Sequence, residues 1–206
     1  MGMLKRSVLL TAMLGLAPEW VTVVVAADNT QLTPERVTVV AAADNAQLTQ
    51  EARQQTKAFA QALQKTLKQG IQASGPEAAI QLCNTEAPAI AAGLSQNGWQ
   101  VARTSTKIRN PDNVADDWEL QTLEDFSRRM QAGEDPAGIE ATTVADGEFR
   151  YMKAIPTAPL CLTCHGSQLA PAVTARLDEL YPADQARGFN AGDLRGAFTL
   201  RKTLEE

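Results

Sequence analysis

The segment Cys161-Leu162-Thr163-Cys164-His165-Gly166 leaves this chain the least freedom. It reads C-x-x-C-H, the pattern by which a chain attaches a c-type haem. Two thiols in one turn can each add to one haem vinyl group, and the histidine that follows lies where it can coordinate the iron axially. His165 is the only histidine, and Cys161 and Cys164 are two of three cysteines. Two other readings compete. A C-x-x-C pair can be a redox-active dithiol, but that wants a βαβ context and none precedes Cys161. It can be half of a structural zinc site, but four ligands are needed, so every cysteine and the histidine would have to converge.

The N-terminus reads as a secretory leader. Lys5 and Arg6 are followed by an apolar run from Ser7 to Ala17 that ends at Pro18 and Glu19. About eleven residues are too few to span a bilayer as a helix. Leu16 to Thr33 and Leu32 to Thr49 then form a tandem duplication at 16-residue spacing, and each copy ends in small residues before Asp. Cleavage after Ala27 or after Ala43 fits the small-x-small pattern, giving a leader over residues 1–43 and one domain over residues 44–206. The alternative is that Val21–Ala26 and Val37–Ala42, both β-branched, pair as a hairpin. Export agrees with the motif, because covalent haem attachment takes place outside the cytoplasmic membrane, in an oxidising compartment. A soluble periplasmic protein is expected. The net charge of −5 argues against nucleic acid and anionic membrane surfaces as partners.

Periodicity beyond the leader predicts helices first and antiparallel strands later, an α+β domain. A helix is expected from Gln47 to Gln69, with Thr49 as N-cap, then a break at Ser74-Gly75-Pro76. A second helix follows, with Ile80, Cys83, Ala87, Ile90 and Leu94 as its apolar stripe. Pro88 should kink or break it by freeing the carbonyl of Asn84. Trp99 to Thr104 reads as a strand. Asp116 or Asp117 can cap a helix from Trp118 to Met130. Ile139 to Val144 and Glu148 to Ile155 read as a hairpin about Asp146-Gly147. Ala172 to Leu180 reads as a short helix and Asp193 to Arg201 as the last strand.

Haem iron has a second axial position and the chain has no second histidine. Cys83, Met130, Met152, lysine or tyrosine side chains, or water remain. Cys83 is the sharpest candidate, since a free thiol in an oxidising compartment is a liability unless used; the alternative is a small buried hydrophobe on a helix face. Arg103, Lys107 and Arg109 form a basic block. Guanidinium groups bind propionates well in forked geometry, although a solvated basic turn reads the same way.

Several blocks together resemble the haem-c-binding PAS-like domain family. They are Cys83 with Ala87-Pro88-x-Ile90-Ala91; Gly98-x-x-x-Ala102-Arg103-Thr104-Ser105-x-Lys107-x-Arg109-Asn110-Pro111-x-Asn113; Trp118-Glu119; Tyr151-x-Lys153-x-Ile155; the Cys161–Gly166 motif; and Gly192-Asp193-Leu194-x-Gly196-Ala197. The resemblance covers roughly residues 48 to 202. It implies a PAS-like antiparallel sheet flanked by helices, one covalent haem c, His165 as proximal ligand and Cys83 as the distal one. It also implies that Arg103, Lys107 and Arg109, joined by Lys153, lie near the haem. Ala154 departs from the family, where proline is expected.

With His165 and Cys83 on the iron, a low-potential protein acting in electron transfer or redox sensing is expected, with a redox or signalling partner. The alternative is a CO or NO sensor that works through a partner protein once reduction frees Cys83. An enzyme is disfavoured, because no distal histidine can serve as acid or base.

Overall fold

A computed structural model describes residues 34–204, with side chains from residue 44 onward. The expected leader up to residue 33, including the cleavage site after Ala27, lies outside them. Ala43 falls within helical backbone, and Val37–Ala42 is helical rather than half of a hairpin.

The first element, α1 (Pro34–Leu94), is two limbs joined at Gly75, whose φ of 82° and ψ of 176° leave the helical region. Glycine meets that requirement without a Cβ penalty. The limbs fold back on each other, and at Gly70 a Cβ would stand 3.1 Å from Leu82 Cδ2 and 3.3 Å from Ala79. The break is thus at Gly75 as expected, whereas Pro88 does not end the second limb, which continues helically to Leu94. Pro88 is exposed, so water can meet the carbonyl it frees, while Ile90, Ala91 and Leu94 hold the limb against the core. Thr49 is no cap either; it lies inside the first limb and its hydroxyl donates back to the Asn45 carbonyl at 2.7 Å.

The sheet consists of β1 (Trp99–Thr104), β2 (Glu140–Ala145), β3 (Glu148–Pro156) and β4 (Leu194–Thr203). The spatial order is β1-β4-β3-β2, and every pairing is antiparallel. The β2–β3 hairpin turns on Asp146 (φ 53°) and Gly147 (φ 72°), the positive φ pair that a two-residue turn requires. Strand alternation sends side chains to two faces. Trp99, Val101, Phe149, Tyr151, Phe198 and Leu200 pack under Ala52 and Phe59 of α1. Met152, Ala154 and Ala197 meet Leu123 and Phe126 of α2 (Asp117–Gln131) on the other face. The expected α+β architecture, an antiparallel sheet flanked by helices, is therefore what the chain adopts.

A capping box starts α2: Asp116 Oδ1 accepts from the Glu119 amide at 3.0 Å, and Glu119 Oε2 accepts from the Asp116 amide at 3.0 Å. Glu119 is 2% exposed. Its other oxygen accepts from Thr199 Oγ1 at 2.7 Å and lies 3.3 Å from Arg201 and 3.4 Å from Arg150.

Where β1 leaves the sheet it crosses close over β4. At Gly196 (φ 154°) a Cβ would stand 2.4 Å from the Thr104 carbonyl oxygen. Gly196→Ala is expected to cost about 3 kcal/mol of unfolding free energy, read by urea denaturation. A loss under about 1 kcal/mol would show that the two strands part freely there.

Candidate functional site

The motif lies on one compact turn. A 3-10 turn (Pro159–Cys161) runs directly into α3 (Leu162–His165), so both thiols and the imidazole leave consecutive helical backbone. Gly166 closes the turn, where a Cβ would meet the Leu162 carbonyl oxygen at 2.7 Å. The strand-like segment after α4 (Pro171–Leu180) pins it: Phe189 N donates to His165 O at 3.0 Å, and Gly188 N donates to Gly166 O at 3.1 Å.

The imidazole of His165 is fixed at one nitrogen. Nδ1 stands 2.7 Å from the Ala186 carbonyl oxygen. A carbonyl only accepts, so Nδ1 carries the proton and Nε2 keeps a bare lone pair. Burial, then the Arg195 and Arg109 guanidinium groups, push the imidazolium pKa down to about 2. A neutral ring with Nε2 bare is the form that ligates a metal.

Three arginines surround this turn. Arg109 is mostly buried and donates from Nε to Asp184 at 3.0 Å, and from Nη2 to Cys164 O at 2.6 Å and Ala186 O at 3.1 Å. Arg195 lies with Nε 3.2 Å from His165 Nδ1 and with its guanidinium 5.2 Å from the centre of the Phe189 ring. Burial, then Arg109 and Arg103, lower its pKa to about 10. Arg103 lies over the Phe59 ring at 5.6 Å. Burial lowers its pKa, opposed by Cys83 and Tyr181 and by no carboxylate. Among the described residues its guanidinium has no ion pair.

Cys83 is on the second limb of α1, half-buried. Burial pushes its thiol pKa up, against the pull of Arg103 and Arg109. Cys164 is likewise raised by burial, against the pull of Arg109 and with Cys83, Cys161 and Glu77 adding to the rise. Ile80, one turn before Cys83, packs with Val173 and Leu177 against Cys164 and Tyr181. The fold thus gathers Cys83, Cys161, Cys164, His165, Arg103 and Arg109 into one neighbourhood. Lys107 joins at its rim, with Nζ 5.2 Å from the centre of the Phe189 ring, which in turn stands edge-on to His165 at 6.3 Å.

Lys153 is placed elsewhere. Its ammonium donates to the Ala137 carbonyl and lies 4.0 Å from Glu140, in a groove shared with Arg53, Lys57 and Tyr151. Met152 is buried with α2, and Met130 packs on the same cluster; Tyr151 donates to Glu140 at 2.9 Å. All three are committed to packing or to Glu140, whereas Tyr181 lies beside Cys83. Among the described residues, no group of three or more His, Cys, Asp or Glu side chains is placed to share a metal ion, so the zinc alternative finds no four-ligand site there.

The sequence reading does not reach Arg195, Asp184 or the Ala186 carbonyl, and includes Tyr181 only among the tyrosines open to the second axial position. Arg195 stands at the one unassigned position of Gly192-Asp193-Leu194-x-Gly196, so a charge inside an apolar strand was the available signal.

A family model described as Tll0287-like matches residues 41–202. A solved structure, that of the cyanobacterial heme-protein Tll0287, is similar in fold, with a TM-score of 0.55 at 22% identity over 85% of this chain and 99% of that one. No curated protein matches the chain.

Proposed function

Because this chain belongs to the Tll0287-like family, we propose that it carries one covalent haem c and acts outside the cytoplasm in electron transfer or redox sensing, with a partner protein. The observation that carries the reading is His165: it shares one turn with Cys161 and Cys164, and its Nδ1 is engaged by Ala186, which reserves Nε2 for a metal.

The donor set fits the group. Cys161 and Cys164 would hold its two thioether bonds, His165 one axial position and Cys83 the other. Arg103, recessed and without a carboxylate, supplies the positive charge a propionate requires, and Lys107 can add to it. Arg109 belongs to the support, because its Nε and Nη2 are spent on Asp184 and two carbonyls. When bound, the haem supplies a one-electron couple whose potential its axial ligands set. The protein half-buries the imidazole and sets Arg195 and Arg109 beside it, which disfavours its charged form. Export rests on the leader pattern of the sequence; no helix among the described residues is long and apolar enough to cross a membrane.

A second reading, sensing of CO or NO through a partner, is favoured by the environment of Cys83. Burial works against its thiolate, and a neutral thiol is the weaker ligand.

The test is the optical and low-temperature EPR spectrum of the full chain matured with a haem-attachment system, beside Cys83→Ala and with CO added after reduction. The expected result is a low-spin ferric spectrum of thiolate character that Cys83→Ala abolishes. Identical spectra would remove Cys83 from the iron. CO uptake by the reduced parent protein would favour sensing, and its absence electron transfer.

A further inference from the structure

His165 Nδ1 stands between two groups with opposite demands. The Ala186 carbonyl, at 2.7 Å, requires a proton on Nδ1. Arg195 Nε–H, at 3.2 Å, can donate only to a bare Nδ1. One nitrogen cannot satisfy both. If Arg195 prevailed, the single proton of the neutral ring would move to Nε2, and Nε2 could no longer ligate.

What holds the carbonyl in place is a buried carboxylate. The side chain of Asp184 is 1% exposed. It accepts from Arg109 Nε at 3.0 Å, from Arg187 Nε at 2.8 Å and from the Ala186 amide at 2.9 Å. Its hold on that amide orients the residue whose carbonyl meets His165. Through Arg109 it also ties the motif, because the same guanidinium donates to Cys164 O at 2.6 Å and Ala186 O at 3.1 Å. Asp184 and Arg109 therefore fix both ends of the Nδ1–H···O=C contact, the helical turn that carries His165 and the peptide that receives its proton.

We propose that Asp184 and Arg109 are positioning residues that select the metal-ligating tautomer of His165 against the competing donor Arg195. The site is then made ready by the fold, before any haem is attached. The proposal takes its purpose from His165 as iron ligand, yet its direct readout needs no haem.

His165 is the only histidine, so nitrogen-15 NMR of the full chain expressed without haem attachment, at about pH 8 where the ring is neutral, reports one imidazole. Long-range couplings to the two ring carbons' protons tell Nδ1 from Nε2. The parent chain is expected to show Nδ1 protonated. Asp184→Asn keeps the shape but loses the charge, and Arg109→Lys cannot span Asp184 and two carbonyls. Each is expected to move the tautomer ratio about tenfold toward Nε2–H, the worth of one well-placed hydrogen bond. Arg187→Gln, the mildest of the three, should move it the same way by less.

A parent chain with Nε2 protonated overturns the proposal. So does an unchanged ratio in every variant that folds, with only the melting temperature lowered, since that is what a purely structural pair would give. Failure of the matured chain to acquire covalent haem would instead overturn the reading of the site and leave the tautomer result standing.

Discussion

Cys161→Ala/Cys164→Ala is expected to reduce covalently held haem to background, a loss of at least about a hundredfold, with the fold retained. Neither thiol is a pillar of the core. Cys161 and Cys164 are both half-buried free thiols, and only Cys164 leans on the cluster of Ile80, Val173 and Leu177. Removing one sulfur at such a site costs about 1 kcal/mol. Each single variant is expected to retain one attachment bond, because either thiol can add to its own vinyl group. Intact mass after denaturation and acid–acetone extraction measures the bond, and circular dichroism the fold. Haem that survives denaturation in the double variant would falsify the attachment assignment. Haem that is bound but extractable would leave His165 and Arg103 as a non-covalent site.

The largest effect on stability is expected on the opposite face of the sheet. Glu119→Ala should cost about 3 kcal/mol, because it leaves the buried Thr199 hydroxyl without its acceptor, takes away one of the two carboxylates that face Arg150 and Arg201, and removes half of a capping box. The contacts at stake are the 2.7 Å bond from Thr199, the Arg201 and Arg150 pairs at 3.3 and 3.4 Å, and the 3.0 Å bond from the Asp116 amide. Asp116 still faces Arg150 at 2.7 Å and Arg201 at 2.5 Å, which keeps the loss from growing further. The contrast is Asp125, whose partner Arg128 is 72% exposed; Asp125→Ala should cost no more than about 0.5 kcal/mol. Urea titrations of the two variants measure the difference. Equal losses would mean that neither the buried contacts of Glu119 nor its half of the capping box contributes measurably.

Local chemistry was legible where one stretch of sequence decides the outcome. The Asp146-Gly147 turn has its two positive φ angles, Asp116 caps α2 as its position before the helix implies, and Gly75 rather than a more distant residue reverses α1. Pro88 was judged on the hydrogen bond it forfeits, but the limb around it is held by tertiary packing and the proline faces solvent. Thr49 fits the N-cap preference of its residue type, but that preference does not register the helical backbone that precedes it. At the site, the turn of Cys161, Cys164 and His165 was plain. Its support was not, because Arg195 and Asp184 reach it only through the sheet order and the path of the 181–193 segment. Arg109 shows the same limit from the other side. Its charge was visible, but that most of its fork is taken by Asp184 and two carbonyls depends on residues 55 to 77 positions away.

β4 is the last element in chain order and the second in space, paired to β1 on one side and β3 on the other. β1 and the β2–β3 hairpin therefore share no hydrogen-bonded edge, and only residues 194–203 join them into one sheet. Without that strand there would be two half-sheets and no Arg195 beside His165. Chain order, in this architecture, makes the last strand the keystone of the sheet and the carrier of Arg195 to His165.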